Sequence, residues 1–215
     1  VSIDKAKEVR KGEGIDAEVL SAYLAKALDK PEGEVIIKQF PSGFSNLTYL
    51  ITFAEQEYVL RRPPYGAKIK SGHDMSREYT ILSALNGTYD KAPKPILFEK
   101  ESVVLDAPFY LMERVQGTIL RAGTAKENLP TPAQFKSLSN NFVDTLVELH
   151  QLDYKAIGLE NLGNPEGYSK RQVEGWSKRY QKSKTSEVIA MEKTALWLQE
   201  NIPSGSRASL VHNDF

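Results

Sequence analysis

The 215-residue chain contains no cysteine. That absence excludes disulfide bonds, zinc–thiolate sites and a catalytic thiol, and it agrees with a reducing compartment. No apolar run approaches the roughly 20 residues that a membrane-spanning helix needs. The first residues, VSIDKAKEVRKGEG, are too polar for a signal peptide. These absences predict a soluble, cytoplasmic protein with no membrane partner.

An excess of one charge sign is also missing. Lys and Arg number 28, Asp and Glu number 28, and the formal net charge is zero. Proteins that bind nucleic acids usually carry a basic excess, so we expect no nucleic-acid partner. His73 and His150 lie far apart in the sequence and predict no metal site.

Residue periodicity divides the chain into a strand-rich part and a helical part. Residues 1–14 are charged and are expected to form a frayed tail, and Asp16 is a candidate N-cap. The patterns predict helices at 16–30 and 75–87, and strands at 34–40, 47–53, 57–62, 95–102 and 108–115.

The second part of the chain is predicted to be mainly helical. Thr131, Pro132 and Gln134 have the pattern of a capping box that opens a helix running to about His150. Further helices are predicted in GYSKRQVEGWSKRYQK and at 186–203, and a short strand from residue 207. The predicted class is α+β, with a tail and helix (1–33), a β-rich lobe (34–115) and a helical portion (116–215).

Two features of the predicted β-rich lobe suggest an anion site. In FPSGFSNLTYL, the small residues Ser42, Gly43 and Ser45 would let backbone N–H groups approach phosphate oxygens, although a plain hairpin loop has the same composition. Arg61 ends an apolar strand and Glu78 on the next helix could orient it. An exposed edge arginine with a packed stem is the alternative.

Two later segments suggest a heterocycle site and a proton acceptor. FYLMERVQG runs from a strand into a linker whose backbone groups could read the edge of a flat ring, or it is simply a core strand entering a loop. In LVHNDF, Asp214 held by His212 could accept a proton from a hydroxyl group. A turn aspartate beside a structural histidine is the alternative.

The order of these segments is the order found in protein kinases. The chain resembles the aminoglycoside-phosphotransferase (choline-kinase-like) family, and within it the branch associated with acyl-CoA dehydrogenases. The resemblance implies a bilobal, protein-kinase-like α+β fold with an antiparallel sheet in one lobe and helices in the other, incomplete, lobe. It rests on QFPSGFSNLTYLI, YVLRRPP, SREYTIL, PFYLMERVQG, LVELHQLD, GYSKRQVEGW and LVHNDF, between about residue 39 and residue 215.

The resemblance also implies an ATP site and a role for each matching residue. The phosphate loop would comprise Ser42, Gly43, Phe44, Ser45 and Asn46. Arg61 would stand where the family usually has a lysine and would pair with Glu78. Adenine would contact the backbones of Glu113 and Val115, with Met112 behind it. Asp214 would be the catalytic base, beside His212.

The chain departs from the family pattern at three points. Arg61 replaces the lysine but keeps the positive charge and adds a bidentate fork. Asn213 stands where the family has glycine. The Asn and Asp that would bind Mg²⁺ are expected beyond Phe215, so the 215 residues alone are expected to be inactive while a longer parent is active.

The resemblance therefore implies an ATP-dependent phosphotransferase that acts on a hydroxyl group of a small molecule. The basic segment SKRQVEGWSKRYQKSK favours an anionic acceptor, such as a hydroxyacyl-CoA, over an antibiotic, although a solvated amphipathic helix has the same pattern. The alternative function is a non-catalytic, pseudokinase-like nucleotide-binding or interaction module, which Asn213 favours.

Overall fold

The computed structural model describes residues 5–41, 46–66, 74–101, 103–120, 124–204 and 207–212. The chain divides into two compact units, residues 1–145 and 146–215. The change from strands to helices that we predict near residue 116 lies within the first unit, and the three-part domain division stays a prediction. No helix among the described residues is long and apolar enough to cross a membrane.

The first unit is built on a five-stranded antiparallel sheet with the order β1-β2-β3-β5-β4. All five predicted strands are present. They are β1 (Val35–Gln39), β2 (Leu47–Phe53), β3 (Gln56–Arg62), β4 (Pro95–Glu99) and β5 (Phe109–Glu113). β3 therefore occupies the centre of the sheet, which decides the environment of its last residues.

One face of this sheet carries the hydrophobic core. Helix α1 (Ala17–Ala27) covers that face, and the Asp16 side chain accepts hydrogen bonds from the backbone N–H groups of Glu18 and Val19, as an N-cap does. Alternate strand residues point towards the helix because side chains alternate across a strand. The buried cluster includes Leu20 and Leu24 of α1 with Tyr49, Ile51, Phe53, Leu60, Phe109 and Leu111 of the sheet.

Helix α2 (Met75–Leu85) packs on strands β4 and β5 from the other side of the sheet. The Asp74 side chain caps its first turn by accepting from the Arg77 backbone N–H at 3.0 Å. Gly87, with φ of +84°, follows the helix in the left-handed region that glycine adopts without strain. The two ends of α2 are thus fixed by local sequence, which also fixes the position of Glu78 in its first turn.

Residues 5–14 do not form the frayed tail that their charge suggests. The backbones of Lys7 and Gln39 exchange hydrogen bonds of 2.8 and 2.7 Å, which adds this segment to the edge of the sheet at β1. The Glu13 carboxylate accepts from Arg10 Nε (2.8 Å) and from the buried Gln39 side chain. The Tyr49 hydroxyl donates to the Glu13 carbonyl oxygen (2.8 Å). The charge of this segment does not predict these contacts, because the partner residues lie far away in the sequence.

Glu13 is expected to make the anchoring of this segment dependent on pH. The Gln39 hydrogen bond, followed by the smaller effect of Arg10, lowers the Glu13 pKa from its usual 4.5 despite the opposing effect of burial. A lowered folded-state pKa stabilises the fold above pH 4.5, and that contribution is lost as the pH falls through the folded-state value. Amide-exchange protection of Lys7 and Gln39 should therefore decline on acidification below pH 4.5.

The variant Glu13→Gln should reduce the protection of these two amides at neutral pH and remove most of its acid dependence. Glu8→Gln is the matched control, because Glu8 is an exposed glutamate of the same segment. An acid dependence that survives in Glu13→Gln would show that another group controls the anchoring.

Three longer helices follow the sheet. They are α3 (Pro132–Gln151), α4 (Tyr168–Ser183) and α5 (Ile189–Glu200), which agree with the predicted helices. Residues 207–212 form no strand, contrary to prediction, because a strand needs a hydrogen-bonded neighbour and none of the described strand pairs includes them.

The predicted capping box of α3 is present. The Thr131 backbone N–H donates to Gln134 Oε1 at 2.8 Å, and the Gln134 N–H donates back to Thr131 Oγ1 at 3.3 Å. Thr131→Ala should therefore lower the free energy of unfolding by about 1 kcal/mol, measured by urea titration.

Ser139→Ala provides the control on the same helix. The Ser139 hydroxyl only donates back to the Phe135 carbonyl oxygen within the helix (2.9 Å), so its loss should leave stability unchanged or slightly raised. Equal destabilisation by both variants would contradict the capping role of Thr131.

Candidate functional site

Arg61 lies at the centre of the sheet rather than at an edge. Its neighbours across the strands are Thr48 on β2 and Tyr110 on β5. The Arg61 side chain is 32% exposed. The alternative of an exposed edge arginine is therefore wrong, and the guanidinium has to be matched by groups on this face of the sheet.

Glu78 supplies the negative charge opposite Arg61. Arg61 Nε lies 3.2 Å from Glu78 Oε2, and Arg61 Nη2 lies 3.5 Å from Glu78 Oε1. The Nε contact has an ion-pair distance, yet this buried nitrogen has no hydrogen-bond partner among the described residues. Charge attraction holds the pair while the N–H direction misses the oxygen. Arg61 therefore retains donor capacity for another anion.

Two neutral side chains also bind the Glu78 carboxylate. Asn46 Nδ2 donates to Glu78 Oε1 at 2.7 Å, and the Tyr110 hydroxyl donates to Glu78 Oε2 at 2.8 Å. Asn46 is buried and lies just before Leu47, the first residue of strand β2. The four side chains Asn46, Arg61, Glu78 and Tyr110 form one contiguous polar group, which we call the Glu78 cluster.

Tyr110 is the member of the Glu78 cluster that sequence reasoning missed. Burial raises the pKa of its phenol well above the usual 10, with Arg61 acting in the opposite direction and Glu78 adding to the increase. Tyr110 thus remains a protonated donor across the physiological range. The signal for it was present, because period two in the predicted strand 108–115 places Tyr110 on the same face as Met112.

The predicted adenine residues lie at the end of β5. Met112 pairs across the sheet with Val59 and Pro95. The Glu113 backbone N–H already donates to the Lys94 carbonyl oxygen (2.9 Å), so an adenine contact by Glu113 has to use its carbonyl oxygen. Val115 is 60% exposed and follows the end of the strand.

Several predicted site residues lie outside the described part of the chain. These are Ser42, Gly43, Phe44 and Ser45 of the loop, and Asp214. His212 is described and exposed in the second unit. The roles of Arg61 in binding ATP and of Asp214 as the catalytic base stay predictions. Among the described residues, no group of three or more His, Asp or Glu could hold a metal ion.

A second arginine of β3 has a different environment. Arg62 is only 3% exposed and points away from Arg61, because adjacent strand residues face opposite sides. Its guanidinium carbon lies 3.9 Å from the centre of the Tyr65 ring, and its Nε donates to the Pro63 carbonyl oxygen (3.2 Å). Arg62 is therefore held by local contacts that stabilise the end of β3.

Comparisons with known proteins agree on one family. The sequence model of the phosphotransferase enzyme family matches residues 36–215. Human acyl-CoA dehydrogenase family member 11 is 35% identical over 207 residues, which cover 93% of this chain and 26% of that protein. Its chicken counterpart is 33% identical over 213 residues, covering 97% of this chain and 27% of that protein. The chain thus spans about a quarter of the length of these relatives.

A solved structure agrees with the fold. A protein of Ralstonia eutropha JMP134, provisionally described as an aminoglycoside phosphotransferase, matches with a TM-score of 0.75 and 30% sequence identity. The match covers 89% of this chain and 55% of that one. Together with the antiparallel sheet and the helices after it, this match confirms the predicted α+β, protein-kinase-like fold class.

Proposed function

Because this chain belongs to the phosphotransferase enzyme family, we propose that its protein transfers the γ-phosphate of ATP to a hydroxyl group of a small molecule. The family match runs from residue 36 to residue 215 and therefore covers the sheet and helices α2 to α5.

The Glu78 cluster is the observation that carries the nucleotide part of the proposal. A partly exposed arginine on the central strand, with a buried Nε that no described residue hydrogen-bonds, suits the oxygens of a phosphate group. Glu78 orients that arginine from the fixed first turn of α2. Arg61 would therefore bind nucleotide phosphates, with the loop Ser42–Asn46 supplying backbone N–H donors.

The remaining roles follow from the family resemblance. Glu113 and Val115 would bind adenine through their backbones, beside Met112. Asp214, positioned by His212, would accept the proton of the attacking hydroxyl group, since a carboxylate within hydrogen-bond reach serves as a general base. Magnesium, when bound, neutralises charge on the transferred phosphoryl group.

The acceptor is proposed to be a hydroxyacyl-CoA or another anionic metabolite. Helix α4 supports this assignment because it is basic and carries Trp176, which is 63% exposed with the Arg179 guanidinium 4.6 Å from its ring centre. Lys170 and Lys184 pair with Glu174 and Glu192 and contribute less free charge. The acyl-CoA dehydrogenase names of the relatives point to the same class of metabolite.

The test is an acceptor-dependent assay on the protein at its full natural length. The protein is incubated with ATP and magnesium plus a hydroxyacyl-CoA, choline or an aminoglycoside, and ADP and phosphorylated products are measured. We expect ADP formation that depends on the hydroxyacyl-CoA. ATP binding without any acceptor-dependent ADP formation would favour the non-catalytic alternative, and absence of ATP binding would overturn both.

A further inference from the structure

The shortest contacts to Glu78 come from neutral donors rather than from the cation. Tyr110 binds Oε2 at 2.8 Å and Asn46 binds Oε1 at 2.7 Å. Each carboxylate oxygen therefore already accepts one strong hydrogen bond. A carboxylate can accept about four, so these two bonds take about half of its capacity and compete with Arg61 for the rest.

Arg61 makes the longer contacts to the same two oxygens. Its distances of 3.2 and 3.5 Å exceed the roughly 2.7–2.9 Å of a well-formed arginine–carboxylate fork. Its Nε has no hydrogen-bond partner within the part of the chain that the structure describes. Charge attraction thus holds the guanidinium near Glu78, while its N–H groups remain able to donate to another anion.

We propose that Tyr110 is a positioning residue: by donating to Glu78 Oε2, its hydroxyl competes with Arg61 for that oxygen, weakens the Arg61–Glu78 pair and keeps Arg61 available to nucleotide phosphates. This inference rests on the proposed nucleotide site and adds to it a residue that touches neither nucleotide nor acceptor. Tyr110 acts through Glu78, which in turn limits what Arg61 can bind.

Tyr110 is suited to this role by its rigidity. It is 2% exposed and lies directly across the strands from Arg61. Its ring contacts Tyr79 of α2 at 6.3 Å between centres, and Tyr79 stacks on Phe98 of β4 at 5.3 Å. The hydroxyl therefore cannot leave Glu78 without a rearrangement of packed rings.

The test is the variant Tyr110→Phe, which removes one hydroxyl and keeps the ring. Glu78 Oε2 would then lose its competing donor, so Arg61 would close on Glu78 and turn away from the phosphates. The Kd for ATP, measured by calorimetry in magnesium buffer on the full-length protein, should rise about tenfold. In turnover assays the KM for ATP should rise in parallel, while kcat at saturating ATP should change much less.

Tyr79→Phe is the matched control. It removes a phenol hydroxyl from the ring that packs on Tyr110 without removing a bond to Glu78. Its Kd for ATP should stay within about twofold of the wild type, because small changes away from the charged groups have little effect.

A double-mutant cycle separates positioning from packing. In a Glu78→Gln background no carboxylate can close on Arg61, so adding Tyr110→Phe should leave the Kd for ATP unchanged. An equal loss of affinity in both backgrounds would assign Tyr110 to packing and overturn the inference, as would an unchanged Kd in the single variant. A wild-type protein that binds no ATP would instead overturn the proposed nucleotide site.

Discussion

Replacing Asp214 with asparagine is expected to lower kcat for phosphoryl transfer by about 10²–10⁴-fold. The amide cannot accept the proton of the attacking hydroxyl group, whereas it keeps the size and most of the hydrogen-bonding capacity of the carboxylate. ATP binding should therefore persist, with a Kd within about twofold of the wild type, because the base acts on the acceptor. Steady-state rates and calorimetry on the full-length protein give the two quantities separately.

The control for this variant is Asp144→Asn. Asp144 is exposed on helix α3, so the same chemical change there tests the loss of one negative charge alone, and kcat should be unaffected. Wild-type turnover in Asp214→Asn would remove the base role from Asp214. A parallel loss of ATP affinity would instead place Asp214 against the nucleotide.

The elements that were predicted correctly are those that local sequence specifies. Strands β1 to β5 follow runs of β-branched and aromatic residues, and α1 and α3 begin at capping residues that the sequence marks, Asp16 and Thr131. Gly87 likewise marks the end of α2. Each of these signals acts within a few residues, so no knowledge of distant contacts is required.

The errors arose where long-range partners decide the structure. Residues 5–14 are mostly polar, and long-range contacts hold them against the sheet: hydrogen bonds with Gln39, Tyr49 and Tyr65, and the packing of Val9 on the core. Leu210 and Val211 are apolar enough for a strand, yet hydrophobicity does not provide a neighbouring strand. Pairing between segments that are distant in the sequence cannot be predicted from a short stretch of residues.

The candidate site was predictable only in part for the same reason. The sequence pairs Arg61 with Glu78 by analogy with kinases, and the structure places their side chains 3.2 Å apart. The sequence does not reveal that Asn46 and Tyr110 donate to the same carboxylate, because that arrangement depends on strand register and on the rotation of α2. The functional roles of these residues stay predictions that the variants test.

Replacing Arg61 with alanine is expected to raise the Kd and KM for ATP by roughly 10- to 150-fold, since a charged hydrogen bond contributes about 1.5–3 kcal/mol. The change removes the positive charge on the proposed phosphate-binding face and leaves Glu78 with only its neutral donors, Asn46 and Tyr110. An uncompensated carboxylate near the phosphates would repel them further. Calorimetry with ATP measures the affinity directly.

Two further variants decide whether charge or packing explains the loss. Arg61→Lys keeps the charge that the family usually has at this position but loses the fork, so its Kd for ATP should lie within about fivefold of the wild type. Lys26→Ala removes an exposed positive charge from α1, on the opposite face of the sheet, and should change nothing. If Arg61→Lys binds ATP as poorly as Arg61→Ala, the shape of the guanidinium rather than its charge supports the site. If both variants bind ATP like the wild type, Arg61 is not a phosphate ligand, and its pairing with Glu78 serves only the fold.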